Sequence, residues 1–258
     1  MSAHRPLAIV TGASTGIGYE LALQCATNGF DLVVVADEPD IADAAETMRQ
    51  GTQEVIAVEA DLATVEGNDR LLAATGGRPV DALLANAGRG LGRAFVDQDW
   101  DAIRRVIDTN VTGTTYLLHK VARDMQRRGE GRILITGSIA GFMPGSFQAV
   151  YNGTKAYLNS LAFALRDELM NSGVTVTVLE PGPTETEFFR RAMMLDTPVG
   201  EGAKDDAKMV AEVGFRAMMD GESDIVAGWK NKVQTTLANV TPNEMLAKAH
   251  RRMAEPRS

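Results

Sequence analysis

Short unbroken apolar runs alternate along this chain with longer stretches in which apolar residues return every three or four positions. The first pattern fits a strand buried on both faces, and the second fits an amphipathic helix. Leu7 to Val10 is the first run, and it passes through a glycine-rich turn ending at Gly18 into the helical stretch YELALQCATNGF. Asp31 to Ala36 (DLVVVA) is a second strand, followed by a helix over Ile41 to Gln50 and a strand over Glu54 to Glu59. Val65 to Thr75 is helical and stops at Gly76 and Gly77, a common C-terminal signal. Further strands are expected over Asp81 to Ala85, Arg132 to Thr136 and Val174 to Leu179. Helices are expected over Gln98 to Thr109, Val111 to Arg128 and Ala149 to Asn171.

Past Thr186 the pattern predicts a helix to Leu195, a loop over Pro198 to Lys204, a helix over Asp205 to Met219 and a seventh strand over Asp224 to Ala227. Thr241, Pro242, Asn243 and Glu244 read as a capping box before a last helix, and fraying is expected after about Arg251. Strands separated by long helices pair in parallel with right-handed crossovers and helices on both faces. The expected fold is therefore α/β, a doubly wound parallel sheet flanked by helices, in a single domain over residues 1–258. Ligands of such sheets bind beyond the carboxyl ends of the strands. Gly12 to Gly18, Asp37, Asp61, Asn86 to Gly88, Ser138 and Pro181 to Thr186 all follow strand ends.

Composition narrows the function classes. The 258 residues are 45 % apolar, enough for a sizeable core, and no Pro/Gly/Ser block or charge run marks a boundary. The formal charge of −8 comes with dispersed acids and no clustered basic footprint, which speaks against a nucleic-acid partner. Cys25 is the one cysteine, so no internal disulfide can form and a reducing, cytoplasmic compartment is expected. His4, His119 and His250 are scattered without zinc-ligand spacing, so no metal site is expected. The first apolar run is too short for a signal-peptide core, and nothing approaches the roughly 18 apolar residues of a membrane span, so no membrane partner is expected.

Two constellations carry candidate chemistry. The turn GASTGIG places backbone N–H groups and a helix N-terminus at one spot, which suits a phosphate. Gly12, Ala13, Ser14, Thr15 and Gly16 also match the G-x-S-x-G nucleophile elbow of serine hydrolases, with Ser14 as nucleophile. That elbow usually follows earlier strands and precedes an acid and a histidine, whereas here it sits on the first strand with only His250 late in the chain. The second constellation is Tyr151 and Lys155 with Ser138 upstream. Residues four apart share a helix face. A free phenol titrates near about 10, and an ammonium about 5 Å away at an effective dielectric of about 20 favours the phenolate by roughly 3 kcal/mol, or about two pK units. On this reasoning Lys155 lowers Tyr151 into the range of a usable acid/base. Singly, each residue also has a plainer reading: Ser138 as a turn serine, Asn110 and Asp61 as helix caps, Asn86 to Gly88 as an ordinary turn, Pro181 and Gly182 as a strand stop.

Thr11, Gly12, Gly16, Gly18, Asp61, Asn86, Ala87, Gly88, Asn110, Ser138, Tyr151, Lys155, Pro181, Gly182 and Thr186, in this order, resemble the short-chain dehydrogenase/reductase family in its NAD(P)-dependent Rossmann-fold form. The resemblance spans about residues 5 to 230. It implies a seven-stranded sheet in the order 3-2-1-4-5-6-7, a substrate lid at about 187–204 and a nicotinamide cofactor. Under it, Tyr151 is the general acid in carbonyl reduction and general base in alcohol oxidation, and Lys155 lowers its pKa and holds the nicotinamide ribose. Ser138 bonds the substrate oxygen, and Asn110 holds a water in a proton relay. The cofactor is assigned to Gly12, Ser14, Thr15, Gly16, Ile17, Gly18, Asp37, Asp61, Leu62, Asn86, Ala87, Gly88, Pro181, Gly182, Thr184 and Thr186, besides Tyr151 and Lys155.

NAD is expected over NADP, because an acid ending the second strand accepts the ribose hydroxyls of NAD. A 2′-phosphate there would face Asp37, Glu38 and Asp40, with no basic residue before Arg49 and none at Thr15. The substrate wall corresponds to Ile139, Ala140, Phe142, Met143 and Gln148, and the lid to Phe188, Phe189 and Met193. These apolar, Met-rich segments suit a bulky hydrophobic group and an adaptable fit, and predict a small-molecule partner, a hydrophobic ketone, aldehyde or secondary alcohol. A 3-oxoacyl thioester reductase stays as the alternative, with Arg89, Arg93, Arg190 and Arg191 available to an acyl carrier, as does a non-catalytic NAD-binding protein. The family assembles as dimers or tetramers through the helices matching Val111 to Arg128 and Tyr151 to Asn171, so a homodimer or homotetramer is expected.

Overall fold

The computed structural model describes residues 5–49, 51, 53–238 and 241–257. Seven strands, β1 (Leu7–Thr11), β2 (Asp31–Ala36), β3 (Val55–Glu59), β4 (Ala82–Ala85), β5 (Gly131–Thr136), β6 (Val174–Glu180) and β7 (Asp224–Val226), form one sheet in the order β3-β2-β1-β4-β5-β6-β7. Every pairing is parallel. The helices in chain order are α1 (Gly16–Thr27), α2 (Ile41–Met48), α3 (Val65–Ala73), α4 (Trp100–Ile107), α5 (Thr114–Arg128), α6 (Ala149–Glu168), α7 (Phe188–Arg191), α8 (Pro198–Glu201), α9 (Ala207–Asp220), α10 (Trp229–Ala238) and α11 (Asn243–Ala254).

All residues of β1, β2 and β4 are buried, as unbroken apolar runs require when both sheet faces are covered. Alternate positions feed two cores: Ala8, Val10, Leu32, Val34 and Leu84 enter one, and Leu7, Ile9, Val33, Val35 and Leu83 enter the other. Each fully buried Val, Leu or Ile contributes about 1.5–3 kcal/mol, so this slab fixes the strand ends on which the site is built. Thr11 stitches those ends together, its hydroxyl accepting from the backbone of Asn86 and of Ala87 at 2.9 Å each. Thr136 on β5 donates to Asn86 Oδ1 at 3.1 Å. Cys25 is buried in α1, and burial pushes its thiol up. No helix among the described residues is long and apolar enough to cross a membrane.

The sheet follows the hydrophobic pattern closely, and the departures lie where local signals compete. The two helices expected over Gln98 to Thr109 and Val111 to Arg128 are joined, because Asp108–Gly113 continues α4 into α5 as a wider π turn. Asn110 therefore sits inside a helical run and caps nothing. Ile41 to Gln50 ends earlier, at Met48, and Gln50 lies outside the described residues, as does His4. Ala149 to Asn171 stops at Glu168, where Leu169 leaves helical geometry. Of Thr186 to Leu195, only Phe188–Arg191 is helical. Pro198 to Lys204 is not simply a loop: Pro198–Glu201 makes a turn of helix whose Gly200 N–H is capped by the Thr197 hydroxyl at 3.1 Å. The capping box at Thr241 does not form: the last helix opens one residue later, with Pro242 as its N-cap, and the Thr241 hydroxyl donates back to Leu237 O at 2.7 Å. The end of the chain does not fray at Arg251: α11 continues to the buried Ala254, and Arg257 N–H donates to Asp196 O at 2.9 Å.

β6 ends on a buried carboxyl group, that of Glu180. Glu180 is 1 % exposed and its Oε1 has no hydrogen-bond partner among the described residues. Burial, and then the charge of Asp224, push it up to about 7. The folded protein thus holds this proton more tightly than the unfolded chain, whose carboxyl titrates near 4.5. Stability is therefore expected to fall as pH rises from about 4.5 through about 7 and to level off beyond. Glu180→Gln should remove that fall, gaining about 2–3 kcal/mol over the native protein between about pH 4.5 and pH 8. Urea unfolding at both pH values measures it, and equal pH dependence in the two proteins would count against a titrating Glu180.

Candidate active site

One long cleft runs across the carboxyl ends of the strands, from Asp37 and Asp61 past Gly12 to Gly16 and on to Ser138, Tyr151 and Phe188. Its centre is the turn between β1 and α1. Gly12 and Gly16 have φ of +66° and +60°, a left-handed geometry that side chains resist. A Cβ on Gly12 would stand 2.9 Å from Ala87 Cα, and one on Gly18 would collide with the Gly12 carbonyl. Gly18 is thus a packing residue behind the cleft, while Gly12, Ser14, Thr15, Gly16 and Ile17 line it. Thr15, the N-cap of α1, lends no side-chain bond to the first-turn amides, which leaves donors of the kind an anion takes. The Ser14 hydroxyl donates to Glu38 Oε1 at 2.5 Å, so its partner is a carboxylate and not the imidazole a nucleophilic serine requires.

At the β2 end the structure corrects the charge argument drawn from sequence. Asp37 has no basic neighbour in sequence, yet the fold brings Arg89, which follows β4, into contact with its carboxylate. Arg105 of α4 reaches Asp37 Oδ2 at 3.3 Å and Asp61 Oδ2 at 3.0 Å. Against the desolvation of burial, Arg89 and then Arg105 hold the Asp37 carboxyl below its ordinary range. Glu38 is likewise held low against burial, by hydrogen bonds from Ser14 and from Arg191. Leu62, Asn86, Ala87 and Gly88 also line this part of the cleft.

At the other end the pieces converge on α6. Tyr151, Lys155 and Asn159 fall four apart and share one face of the helix. Lys155 Nζ donates to Thr136 O at 2.7 Å and lies 5.9 Å from the centre of the Tyr151 ring. Asn159 Nδ2 donates to Ser138 O at 3.0 Å and its Oδ1 accepts from Ser138 N–H at 3.3 Å, which fixes the loop that presents Ser138. Nothing in the sequence reading singled out Asn159, although the four-residue spacing after Lys155 pointed to it. The Ser138 hydroxyl accepts from Ala140 N–H at 3.0 Å and donates to Pro181 O at 3.3 Å, so the turn serine of the plainer reading also lines the cleft. Asn110 is fully buried behind this wall. Its Oδ1 accepts from Arg89 N–H at 2.7 Å, and its Nδ2 donates to Arg89 O and to Thr154 Oγ1 at 2.9 Å each.

The expected lowering of Tyr151 by Lys155 is not the dominant effect. Burial pushes the phenol up to about 12, with the neighbouring Ser138 hydroxyl pulling the other way. Burial pushes the Lys155 ammonium down to about 8. Both groups are enclosed together, and desolvation outweighs their mutual attraction.

Pro181, Gly182, Thr184 and Thr186 line the cleft, as do Ile139, Ala140, Met143, Gln148, Phe188 and Phe189. The Phe188 ring lies 5.0 Å from the Tyr151 ring and 5.5 Å from that of Phe189, closing an apolar cover over the phenol. Phe142 and Met193 do not line the cleft: Phe142 ends the short 3-10 turn Ile139–Phe142, and Met193, with φ of +57°, points half its surface outward. The four arginines offered to an acidic carrier each face an acid of the chain, with Arg89 on Asp37, Arg93 on Asp196, Arg190 on Glu187 and Arg191 on Glu38. Val199, His250 and Met253 complete the wall. They were missed as cleft residues because only tertiary docking of α8 and α11 brings them there.

The chain is similar to known proteins over most of its length. The family model described as short chain dehydrogenase matches residues 6–194. An "uncharacterized oxidoreductase" of Myxococcus xanthus is 31 % identical over 256 residues, covering 95 % of this chain and 96 % of that protein. A short-chain dehydrogenase from Sphingobium yanoikuyae, solved in complex with NADPH, is similar with a TM-score of 0.81 and 27 % identity, over 92 % of this chain and 96 % of that one. The bulky-bulky ketone specific alcohol dehydrogenase from Comamonas testosteroni is similar with a TM-score of 0.77 and 26 % identity, over 91 % and 92 %.

Proposed function

The chain belongs to the short-chain dehydrogenase/reductase family of oxidoreductases, and on that footing we propose that it interconverts a hydrophobic ketone or aldehyde and its alcohol with NAD, using Tyr151 as acid/base. The observation that carries this reading is the α6 face that holds Tyr151 and Lys155 beside Ser138 in an apolar, lidded end of the cleft. A nicotinamide dinucleotide fits the rest of the cleft. The side-chain-free turn at Gly12 and Gly16 and the uncapped amides of α1 suit its phosphates, and the Asp37 carboxylate suits ribose hydroxyls. When bound, the nicotinamide supplies the hydride donor or acceptor. Ser138, a single hydroxyl donor now turned to Pro181 O, is placed to turn to a substrate oxygen, and Tyr151 gives that oxygen a proton in reduction or takes one in oxidation. Lys155, anchored on Thr136 O, supplies the positive charge that a forming phenolate needs.

A free hydrophobic substrate is favoured over an acyl carrier because Arg89, Arg93, Arg190 and Arg191 are already matched to acids of the chain. The bulky ketones named for the similar Comamonas enzyme point the same way. The choice of NAD rests on Asp37 alone, since the similar Sphingobium protein was solved with NADPH. A panel of ketones, aldehydes and alcohols, followed through cofactor absorbance with NADH and NADPH, is expected to show turnover of bulky apolar members, with NADH at least about tenfold more efficient. Turnover confined to small polar sugars would refute the substrate class, and no turnover by a protein that binds NAD would leave a non-catalytic role.

A further inference from the structure

The C-terminal helix brings to the cleft a histidine for which the proposed reaction has no use. His250 of α11 is 5 % exposed, yet it lines the same cleft as Ser138 and Tyr151. Its Nδ1 lies 2.9 Å from the carbonyl oxygen of Ser146. A carbonyl oxygen only accepts, so Nδ1 carries the ring proton and Nε2 keeps its unshared pair. The contact with Ser146 is the one hydrogen bond the ring makes among the described residues, which leaves Nε2 as its open polar atom. Burial holds the imidazole below its ordinary pKa, so the ring is neutral at pH 7 and Nε2 is an acceptor there.

The ring is also fixed in place. The Ser146 hydroxyl donates to Ala247 O at 2.9 Å, tying α11 to the loop before α6 at a second point. Arg251 stacks over the Phe147 ring at 5.2 Å, and Ala254 is buried against Phe189 and Met194. The loop before α6, the lid and α11 line the cleft with the apolar Met143, Phe188, Phe189, Val199 and Met253; the charged lid residues there, Glu187 and Arg191, are already paired with Arg190 and Glu38, and Gln148 is the other polar side chain. An open, rigidly held acceptor among apolar side chains is how a pocket reads the position of one donor on its ligand.

We infer that His250 is a substrate-recognition residue whose Nε2 accepts a hydrogen bond from a hydroxyl remote from the reacting carbon. The preferred substrates are then elongated apolar ketones or alcohols that carry a second hydroxyl group at the far end. This rests on the oxidoreductase reading above and extends it to a substrate class.

The test uses ketones matched in length and differing only at the far terminus, which is hydroxyl, methoxy, methyl or carboxylate. Binding to the NAD-loaded protein is measured by calorimetry beside turnover, in the native protein and in His250→Phe and His250→Gln. The native protein should favour hydroxyl over methoxy by about tenfold or more, with the difference in Kd and KM and not in kcat. In His250→Phe the ratio should fall to about one, while His250→Gln, which keeps an acceptor, should retain part of it. Imidazole nitrogen NMR of the native protein should show the Nδ1–H tautomer and a shift of Nε2 when the hydroxyl ligand is added. That readout and the native ratio decide the matter even where a variant does not fold. Equal binding of hydroxyl and methoxy ligands, a preference for the carboxylate, a ratio that survives in folded His250→Phe, or an unmoved Nε2 signal would each overturn the inference. Selective binding without turnover would keep it and defeat the redox reading, and turnover without selectivity would do the reverse.

Discussion

Tyr151→Phe is expected to lower kcat by about 10²–10⁴-fold, the usual contribution of a positioned proton donor. The change is a narrow one. Phenylalanine keeps the ring that stacks on Phe188 at 5.0 Å, so the apolar cover stays and only the oxygen beside Ser138 is removed. Affinity for the dinucleotide, measured by titration, should move by less than about threefold. The pH dependence of the native protein carries the same argument. Because burial holds the phenol near 12, Tyr151 keeps its proton at neutral pH and is ready as the acid of carbonyl reduction. Oxidation needs the phenolate, so alcohol oxidation should climb with pH while reduction does not. The Lys155 charge that favours the phenolate is itself lost above about 8, which bounds the climb. A phenylalanine variant with more than about a tenth of the native kcat, or an oxidation rate flat from pH 6 to pH 8, would take the proton away from Tyr151.

Much of this was legible in the hydrophobic pattern, for reasons that also explain the rest. A strand such as Asp31–Ala36 is buried on both faces, so its burial is written as an unbroken run and its limits could be read off directly. The glycines of the first turn are legible because their roles are steric: Gly12 and Gly16 take a left-handed backbone that other residues resist. The face shared by Tyr151 and Lys155 follows from helix geometry alone. What was not legible depends on residues far apart in sequence. Arg89 and Asp37 are separated by 52 positions and meet only because β1 lies between β2 and β4 in the sheet. The hydrogen bonds of Asn110 were not legible, because its partners, Arg89 and Thr154, lie on other elements. The pKa of Tyr151 was misjudged because an isolated helix has no lid, and Phe188 and the strand ends make desolvation the larger effect. The place of His250 on the cleft was not legible either, because only tertiary contacts, Ser146 with His250 and Ala254 with the lid, dock the end of the chain there.

Asp37→Ala should reverse the choice of dinucleotide, and the reason lies in the two arginines the fold supplies. In the native protein the Asp37 carboxylate does two things: it accepts hydrogen bonds of the kind ribose hydroxyls offer, and it occupies Arg89. A 2′-phosphate about 5 Å from that carboxylate meets a repulsion of about 3 kcal/mol per unit charge at an effective dielectric of about 20. Removing the carboxylate removes this repulsion and leaves Arg89 without its acid, while Arg105 keeps Asp61 at 3.0 Å and Glu38 keeps Ser14 at 2.5 Å. A freed guanidinium offers paired donors that suit a phosphate. The expected result is a loss of about tenfold with NADH and a gain of about tenfold or more with NADPH, a change of at least about a hundredfold in the ratio of kcat/KM. Calorimetry with adenosine fragments that do or do not carry a 2′-phosphate should show the same shift without turnover. Adding Arg89→Ala to the variant should remove the guanidinium's share of the gain, keep the share that comes from the lost repulsion, and leave the loss with NADH unchanged. If Asp37→Ala keeps its preference for NADH, or if the double variant favours the phosphorylated fragment as strongly as Asp37→Ala alone, then the pairing of Asp37 with Arg89 does not set the cofactor.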